Sequence, residues 1–406
     1  MIRKKIRKDL LIRKTRMLLG EFLTPLLDEV DRPRKRFLPQ VIRGILFSGS
    51  LTMMDIARWV RDDCSDLFHR DKRLLNHLVS PEGDLTAAVS RYRQAASMHI
   101  SPDTALILDL TDLAKPRAKK MQYLDLVRDG SESKLVKGYW CIEVYAYLQG
   151  KRILPLAMET YGIPDPAVGS ENVQIQRVVT AVHHDLGGNG IWVADRGLDR
   201  LEAYEMWFSL DAHFVVRQRG DRTIVLPNGT HMILRDYVEH LYQQGSCQIG
   251  DLRIVWGQVY LPDHPARPLY LVASWRAGED EPLMLLTTLV VQTIDQARQV
   301  LGYYKQRWAC EEAAEFLKSR IGLERFRVRR YEAMRRLMIL AMFAMGFLTW
   351  ILLRSRDLTK RLLAWTSRFR RQREFLYYRL LDGLQEFVRL NPMSLTKCPP
   401  GPRRNG

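Results

Sequence analysis

Residues 105–110 read ALILDL and residues 191–195 read IWVAD. Each is a continuous apolar run of strand length with an acid at or next to its end, which is typical of a strand buried in an α/β sheet. An acid there lies at the rim of the sheet, where α/β proteins commonly bind ligands. We therefore expect Asp109 and Asp195 to face one cavity, although an Asp at a strand end also often caps the next turn.

The segments around these two runs predict a mixed α/β sheet. Residues 139–148 (YWCIEVYAYL) and 152–161 (RILPLAMETY) have the composition of strands, and the Gln-Gly-Lys stretch between them predicts a hairpin. The other elements predicted here are a helix over 171–186, a helix over 198–210 and a strand in AHFVVRQR. Residues 221–292 contain short β runs (TIVLPNGT, SCQIGDLRIVWGQVYL, PLYLVASW) and predict a β-rich insertion, after which a long helical pattern begins.

The composition indicates a basic, globular protein. The chain has 406 residues, of which 46% are hydrophobic, and it is expected to form roughly two to four packed domains. The net charge of +17 favours nucleic acid as the partner, with a merely basic soluble protein as the alternative. Five scattered cysteines lack zinc-binding spacing, and no apolar signal segment follows the basic N-terminus, so a reducing cytoplasm is expected.

The N-terminal part combines a basic segment with short helical stretches. Residues 1–36 are expected to hold phosphates as a basic arm, or to form a solvated charged face. Residues 38–60 contain two helical stretches around Ser-Gly-Ser, with Thr52 as the expected N-cap of the second and Asp55 in a partial capping box. This pattern suits a helix-turn-helix that contacts DNA, although many helical segments share it and never do so.

One segment raises the question of a membrane. Residues 337–353 (LMILAMFAMGFLTWILL) are apolar apart from Thr349, and this length is near the lower limit for crossing a bilayer. Positive charges flank both ends and no second span is evident. A helix buried on all sides in a large core has the same composition, and we favour that interpretation.

A third acid lies in the long helical pattern after the β runs. Four side chains have the spacing Y-x2-R-x3-E-x6-K: Tyr304, Arg307, Glu311 and Lys318. At 100° per residue they fall within an arc of roughly 60° on one helix face. This stripe suits a carboxylate that holds a metal beside cations that hold phosphates. Glu315 lies near the same face, and the alternative is a surface helix with Arg307 and Glu311 as an ordinary i,i+4 pair. Converging acids favour a divalent cation, and oxygen-only ligands suit Mg²⁺ or Mn²⁺.

Together these motifs resemble those of the DDE transposases of bacterial insertion sequences, in the subgroup with a β-strand insertion before the final Glu. LDLTD at Asp109 resembles the first motif, D-x-T, and VADRGLD at Asp195 resembles the second, D-R-G. YYKQRWACEEAAEFLKSRIGLERFRVRR matches the Y-R-E-K signature, which selects Glu311 over Glu315. The order of the elements also matches, and the resemblance covers roughly residues 100–330.

The resemblance implies an RNase H-like core that cuts element ends and transfers 3′-OH strands into target DNA by two-metal chemistry. It assigns catalysis and metal binding to Asp109, Asp195 and Glu311, with Mg²⁺ expected and Mn²⁺ as the alternative. It implies phosphate contacts for Tyr304, Arg307 and Lys318, and Arg196 is a further candidate beside the second acid. The expected partners are terminal inverted repeats and target DNA, bound by a homodimer in the bacterial cytoplasm at the nucleoid, with no membrane association.

The chain departs from some relatives ahead of the third acid. The stretch EPLMLLTTL has Met284 where those relatives place an aromatic that stacks on a flipped base, so a hairpin intermediate is not implied. The arginine-rich segment 354–375 is a candidate surface for DNA or a partner, or a solvated helix. Two other functions stay open: a catalytically inactive or domesticated DNA-binding protein, and an RNase H-like nuclease that cuts without joining.

The predicted organisation has five parts. They are a basic arm with a helix-turn-helix-like region (1–100), the first part of the RNase H-like core (101–220), the β-rich insertion (221–292), the helix with the third acid (293–330), and a C-terminal helical region with a basic tail (331–406).

Overall fold

The two acid-bearing runs form adjacent parallel strands in the middle of one sheet. The computed structural model describes residues 2–28, 30–60, 66–80, 83–129, 134–366 and 375–390. In it, β1 spans Ala105–Ala114 and β5 spans Ile191–Ala194. They pair in register from Ala105 opposite Ile191 to Leu108 opposite Ala194. All these paired side chains are buried, which is why both strands appear as unbroken apolar runs in the sequence.

Five strands form the core of the sheet, in the order β4-β3-β1-β5-β6. The flanking strands are β3 (Lys134–Leu148), β4 (Arg152–Tyr161) and β6 (His213–Arg217). The pairs β4–β3 and β3–β1 are antiparallel, whereas β1–β5 and β5–β6 are parallel. This mixed sheet with flanking helices confirms the predicted fold class. The predicted hairpin is also confirmed, because Leu148 pairs with Arg152 and Gly150 adopts φ 75° in the turn.

The β-rich insertion extends this sheet rather than forming a separate one. Strand β12 (Leu283–Thr287) pairs with β6 on one side and β11 on the other. The other strands of the insertion are β7 (Thr223–Val225), β8 (His231–Ile233), β9 (Cys247–Ile249), β10 (Leu252–Leu261) and β11 (His264–Arg276). One short strand outside it, β2 (Asp125–Asp129), pairs with β3 and was not predicted. In the described part of the chain, the whole sheet has twelve strands.

The insertion also contains a helix that the sequence analysis missed. Helix α8 spans Leu234–Gln244 and buries Leu234, Tyr237 and Val238. These positions follow the i, i+3, i+4 spacing of an amphipathic helix, but the segment lies among short β runs that dominated the prediction. The prediction of short strands alone for this region is therefore wrong at α8.

Helices cover the sheet and form both ends of the chain. Those before β1 are α1 (Ile2–Leu27), α2 (Arg32–Ser48), α3 (Met53–Arg58), α4 (Leu67–Val79) and α5 (Thr86–Ser97). Those within the core are α6 (Glu171–Asp185), α7 (Leu201–Ser209), α9 (Ile294–Gln306) and α10 (Trp308–Phe316). The C-terminal helices are α11 (Tyr331–Arg354), α12 (Arg356–Thr366) and α13 (Leu376–Arg389).

The N-terminal region is helical, and parts of it are deeply buried. The basic segment 1–36 forms α1 and the first turn of α2 within the described residues. Helix α2 ends at Gly49, which is left-handed, and α3 follows, as the turn signals predicted. Thr52 is the N-cap residue of α3, as predicted. Its side chain makes no capping hydrogen bond, so the predicted partial capping box with Asp55 is wrong. DNA contact by this region stays a prediction.

The apolar segment 337–353 lies in α11, which runs through the protein interior. The helix packs against β4 and α2, and 83% of its most apolar window is buried. By length and composition alone α11 would also pass as a membrane span. Its polar residue Thr349 is satisfied inside the core, where its hydroxyl donates to the Ile153 carbonyl at 2.7 Å. Parts of the arginine-rich segment (367–374), the basic tail from 391 onward, Cys64 and Cys398 lie outside the described residues.

Candidate active site

The first two acids lie where the pairing of β1 with β5 ends. Leu108 opposite Ala194 is the last pair, and Asp109 and Asp195 directly follow these residues. The expectation that Asp109 ends its strand is wrong, because β1 continues to Ala114 through its pairing with β3. Asp195 caps the short turn 196–198, and its Oδ1 accepts from the Gly197 amide at 2.6 Å. The Asp109 side chain is 24% exposed and faces Arg307. The two acids are therefore neighbours, and their action in one site stays a prediction.

The helical pattern that carries the third acid is not one uninterrupted helix. Helix α9 begins with a capping box between Thr293 and Gln296, and α10 begins after a break at Arg307. The Arg307 amide donates to the Tyr304 carbonyl at 3.0 Å, and the Cys310 amide donates to the Arg307 carbonyl at 2.9 Å. These i to i+3 bonds tighten the turn at Arg307. The four signature side chains therefore do not share the single straight face that ideal helical geometry predicts.

Arg307 is the cation around which the site is assembled. Its Nη2 lies 2.8 Å from Glu311 Oε1, and its Nη1 lies 3.7 Å from Asp109 Oδ1. The Arg307 side chain is only 8% exposed, so this charge is held inside the protein. The guanidinium thereby links the third acid to the first, and Asp195 is the neighbour of the first across the parallel strands. Glu311 and Arg307 also form the ordinary i,i+4 pair that was the alternative interpretation.

The remaining signature residues occupy different environments. Lys318 lies in a π-helical turn (Leu317–Ile321), with its Nζ 3.6 Å from Asp112 and 3.4 Å from Glu324. Tyr304 is only 5% exposed and packs in a hydrophobic cluster behind the sheet. Arg196 is exposed, next to Asp195. The structure thus brings Asp109, Asp195, Arg307 and Glu311 together, whereas Tyr304 is packed away from solvent.

The comparison with protein families adds an independent observation at this point. The family described as the transposase DDE domain matches residues 101–347, which include all three acids. The chain belongs to this family. Transposase DDE domains generally use divalent metal ions. The oxygen-only donors here fit such ions, which prefer carboxylate ligands. Among the described residues, no three acidic, His or Cys side chains already form a cation site, because Arg307 lies between Glu311 and Asp109.

Comparison with solved structures gives a more distant similarity. The chain is similar to a piggyBac transposase in a synaptic complex with hairpin DNA, with 11% identity and a TM-score of 0.43. The match covers 80% of this chain and 61% of that one, so the chain spans less than two thirds of the neighbour's length. No curated protein sequence matches the chain.

A fourth acid of this DDE domain was not singled out from the sequence. Glu143 on β3 is directly opposite Asp109 on β1, so both side chains lie on one face of the sheet. It is fully buried, and its Oε2 accepts from the Tyr145 hydroxyl at 2.9 Å. Its Oε1 is buried and has no hydrogen-bond partner among the described residues. In the sequence, Glu143 stands out only as a lone acid within the apolar strand YWCIEVYAYL. Its position next to Asp109 depends on the pairing of that strand with β1, which the sequence does not show.

Burial and the charges of nearby acids raise the pKa values of Asp109 and Glu143. Burial, with smaller contributions from Asp195 and Glu311, raises the pKa of Asp109 to about 6, although the Arg307 charge opposes the shift. Burial and then the Asp109 charge raise the pKa of Glu143 to about 7. Because two neighbouring carboxylates are costly to ionise together, added positive charge at this site stabilises their charged forms.

Glu143→Gln is expected to change the pH dependence of stability. The carboxyl is protonated more readily in the folded chain (pKa about 7) than in the unfolded one (ordinary pKa 4.5). Its contribution to stability is therefore full below about pH 4.5 and is lost as the pH rises through about 7. Between those limits the variant should gain on the order of 3 kcal/mol relative to wild type. Urea unfolding in EDTA from pH 5 to 8 measures this, and a difference that stays constant with pH would contradict it.

Proposed function

We propose that the chain is a DNA transposase that cuts element ends and transfers the 3′-OH strand into target DNA. The observation that carries the proposal is that Arg307 joins Glu311 to Asp109, which neighbours Asp195 across the paired strands, in a domain that belongs to the transposase DDE family. An intact set of acids argues against a decayed DNA-binding copy. The net charge of +17 fits a polyanionic substrate.

The three acids are the groups that would hold divalent metal ions, Mg²⁺ or Mn²⁺. Bound there, the ions would supply activation of the attacking oxygen and stabilisation of the leaving oxygen in an in-line displacement. Asp109 and Asp195 are fixed by the parallel pairing of their strands, and Glu311 is fixed by α10. Strands and helices hold catalytic groups more precisely than loops do, which suits a reaction that depends on positioning.

Arg307 has two roles in this proposal. In the free protein it neutralises Asp109 and Glu311. When another cation neutralises those acids, the N–H groups of the Arg307 guanidinium are suited to donate to a phosphate oxygen. Its Nε is already buried without a hydrogen-bond partner among the described residues. We propose phosphate contacts for Lys318 and for the exposed Arg196. The buried Tyr304 would instead support Arg307, whose guanidinium carbon lies 5.8 Å from the Tyr304 ring centre.

Cleavage of end-labelled duplex tests the proposal. The duplex carries the terminal repeats of the element that encodes the chain, and the reactions contain Mg²⁺ or EDTA. We expect nicking at the repeat boundary only with Mg²⁺, and strand-transfer products when a preformed 3′-OH end is supplied. Nicking without any strand transfer would favour a nuclease that does not join strands. Specific binding with no cleavage under either condition would favour a DNA-binding protein without catalysis.

A further inference from the structure

A basic cavity lies beside the candidate active site, and the proposed function gives it no role. It has a volume of about 690 Å³ and lies where β1 ends, roughly 16 Å along the strand from Asp109 at about 3.3 Å per residue. Two chain segments, 114–121 and 324–329, form its walls. Six exposed cations line it, and we call this surface the basic groove: Arg117, Lys119, Lys120, Arg325, Arg327 and Arg329.

The charges of the basic groove are not compensated within the protein. In the described part of the chain, none of the six cations has a carboxylate within 4.0 Å. Exposed arginines elsewhere do have such partners, for example Arg389 with Glu386 at 2.8 Å and Arg276 with Asp251 at 3.5 Å. Gathering like charges around one concave surface raises the free energy of the folded chain and concentrates anions there.

The two walls of the basic groove are tied together by buried contacts. Lys115 Nζ donates to the carbonyls of Glu324 at 2.5 Å and Phe326 at 2.9 Å. It also lies 3.4 Å from the centre of the Phe326 ring. At the other end, the Gln122 amide donates to the Arg329 carbonyl at 3.0 Å. The groove is therefore already formed in the free protein, and a ligand would not have to assemble it.

The arginines of one wall all face solvent. Arg325, Arg327 and Arg329 are exposed, whereas Phe326 and Val328 between them are buried. The segment begins in a turn, in which the Arg325 amide donates to the Gly322 carbonyl at 2.8 Å. Several guanidinium groups on one side of a segment suit a linear polyanion with repeating phosphates better than they suit a single small anion.

The basic groove is continuous with the active site. Glu324, which begins one wall, lies 3.4 Å from the Nζ of Lys318 and accepts from the Ala114 amide at 3.3 Å. Lys318 belongs to the same signature as Arg307 and Glu311. Lys318 and its partner Glu324 therefore connect the helix that carries the third acid to one wall of the groove.

We propose that the basic groove binds the phosphate backbone of DNA as it leaves the active site, without reading its sequence. The proposal rests on the proposed function, since it needs DNA at the acids. The proposal assigns a large share of the non-specific affinity for DNA to the basic groove. Phosphate contacts of this kind fix register and orientation, and they make affinity fall with salt.

The test compares full-length variants in EDTA, where no cleavage is possible. Arg325→Gln/Arg327→Gln/Arg329→Gln removes the three arginines of one wall, and Arg177→Gln/Arg276→Gln/Arg389→Gln removes the same charge from α6, β11 and α13. The probe is a fluorescent duplex of arbitrary sequence, and a second duplex carries the terminal repeats. Each lost phosphate contact lowers the slope of log K against log salt by about 0.9. When the salt is raised from 50 to 200 mM, the affinity of wild type should therefore fall by a factor about 40-fold larger than the affinity of the groove variant does, on both duplexes.

The outcomes separate this proposal from the function it rests on. If wild type binds neither duplex in a salt-dependent way, the proposed function fails as well. If wild type binds but the groove variant keeps the wild-type slope, or the control variant loses as much, the groove assignment is overturned and the function stands. Loss on the repeat duplex alone would also overturn a sequence-independent role. Lys119→Gln/Lys120→Gln alters the opposite wall and should lower the slope by about 1.8, whether or not the triple variant folds.

Discussion

Glu311→Gln is expected to lower the rate of Mg²⁺-dependent cleavage at least about 1000-fold while leaving DNA binding within a few-fold of wild type. The amide has the size of the carboxylate but lacks its charge, so it cannot serve as an anionic ligand for a divalent ion. Metal-ion catalysis is worth several kcal/mol of transition-state stabilisation, and about 1.4 kcal/mol corresponds to a tenfold change in rate. Asp109→Asn and Asp195→Asn should have the same effect, since their strands place them at one site.

Glu315→Gln is the matched control for this loss. Glu315 is an exposed acid on the same helix α10, and ideal helical geometry places it near the face of Glu311. We expect its substitution to change the cleavage rate less than about tenfold, because Arg307 contacts Glu311 and Asp109. Cleavage of end-labelled duplex and binding in EDTA are measured on each variant. If Glu311→Gln still cuts element ends while Glu315→Gln does not, the third acid has been assigned to the wrong residue.

The two aspartates could be predicted from the sequence because their signal is local. ALILDL and IWVAD each show a buried strand and its acid within a few residues, and the order of elements between them restricts the sheet topology. The pairing of Leu108 with Ala194 then follows from the fold. The buried helix over the apolar segment 337–353 could likewise be predicted from its own composition, since it required only a core large enough to surround it.

The rest of the site depends on contacts that no local pattern contains. Arg307 turns inward to reach Asp109 on a distant strand, and the tightened turn there breaks the helical face that a spacing of 100° per residue assumes. Glu143 is beside Asp109 only because β3 pairs antiparallel with β1. Helix α8 was missed for a different reason. In a short segment among β runs, the spacing of the apolar residues fits both the helical period and the strand period.

Phe343→Ala is expected to destabilise the protein by about 3–5 kcal/mol. Phe343 is fully buried in the middle of α11, and its ring packs edge-on against Tyr92 of α5 with centroids 5.2 Å apart. Removing the ring leaves a cavity between the C-terminal and N-terminal helices, which the surrounding side chains fill only in part. Helix α11 also packs against β4, so the cavity should destabilise the sheet that carries the acids. Urea unfolding followed by far-UV circular dichroism measures the change.

Phe68→Ala on α4 is the matched control, because the Phe68 side chain is 66% exposed. We expect it to change stability by less than about 0.5 kcal/mol. The pair also decides between the two interpretations of α11. A buried core helix predicts a large difference between the variants and wild-type protein that stays in the supernatant after ultracentrifugation without detergent. A membrane-spanning helix would turn Phe343 toward lipid, so its truncation would cost little and the wild-type chain would sediment with membranes. Thr349, about 1.7 turns further along α11, donates its hydroxyl to the Ile153 carbonyl of β4. The helix is therefore bound to the sheet by a polar contact as well as by packing, which favours the large effect.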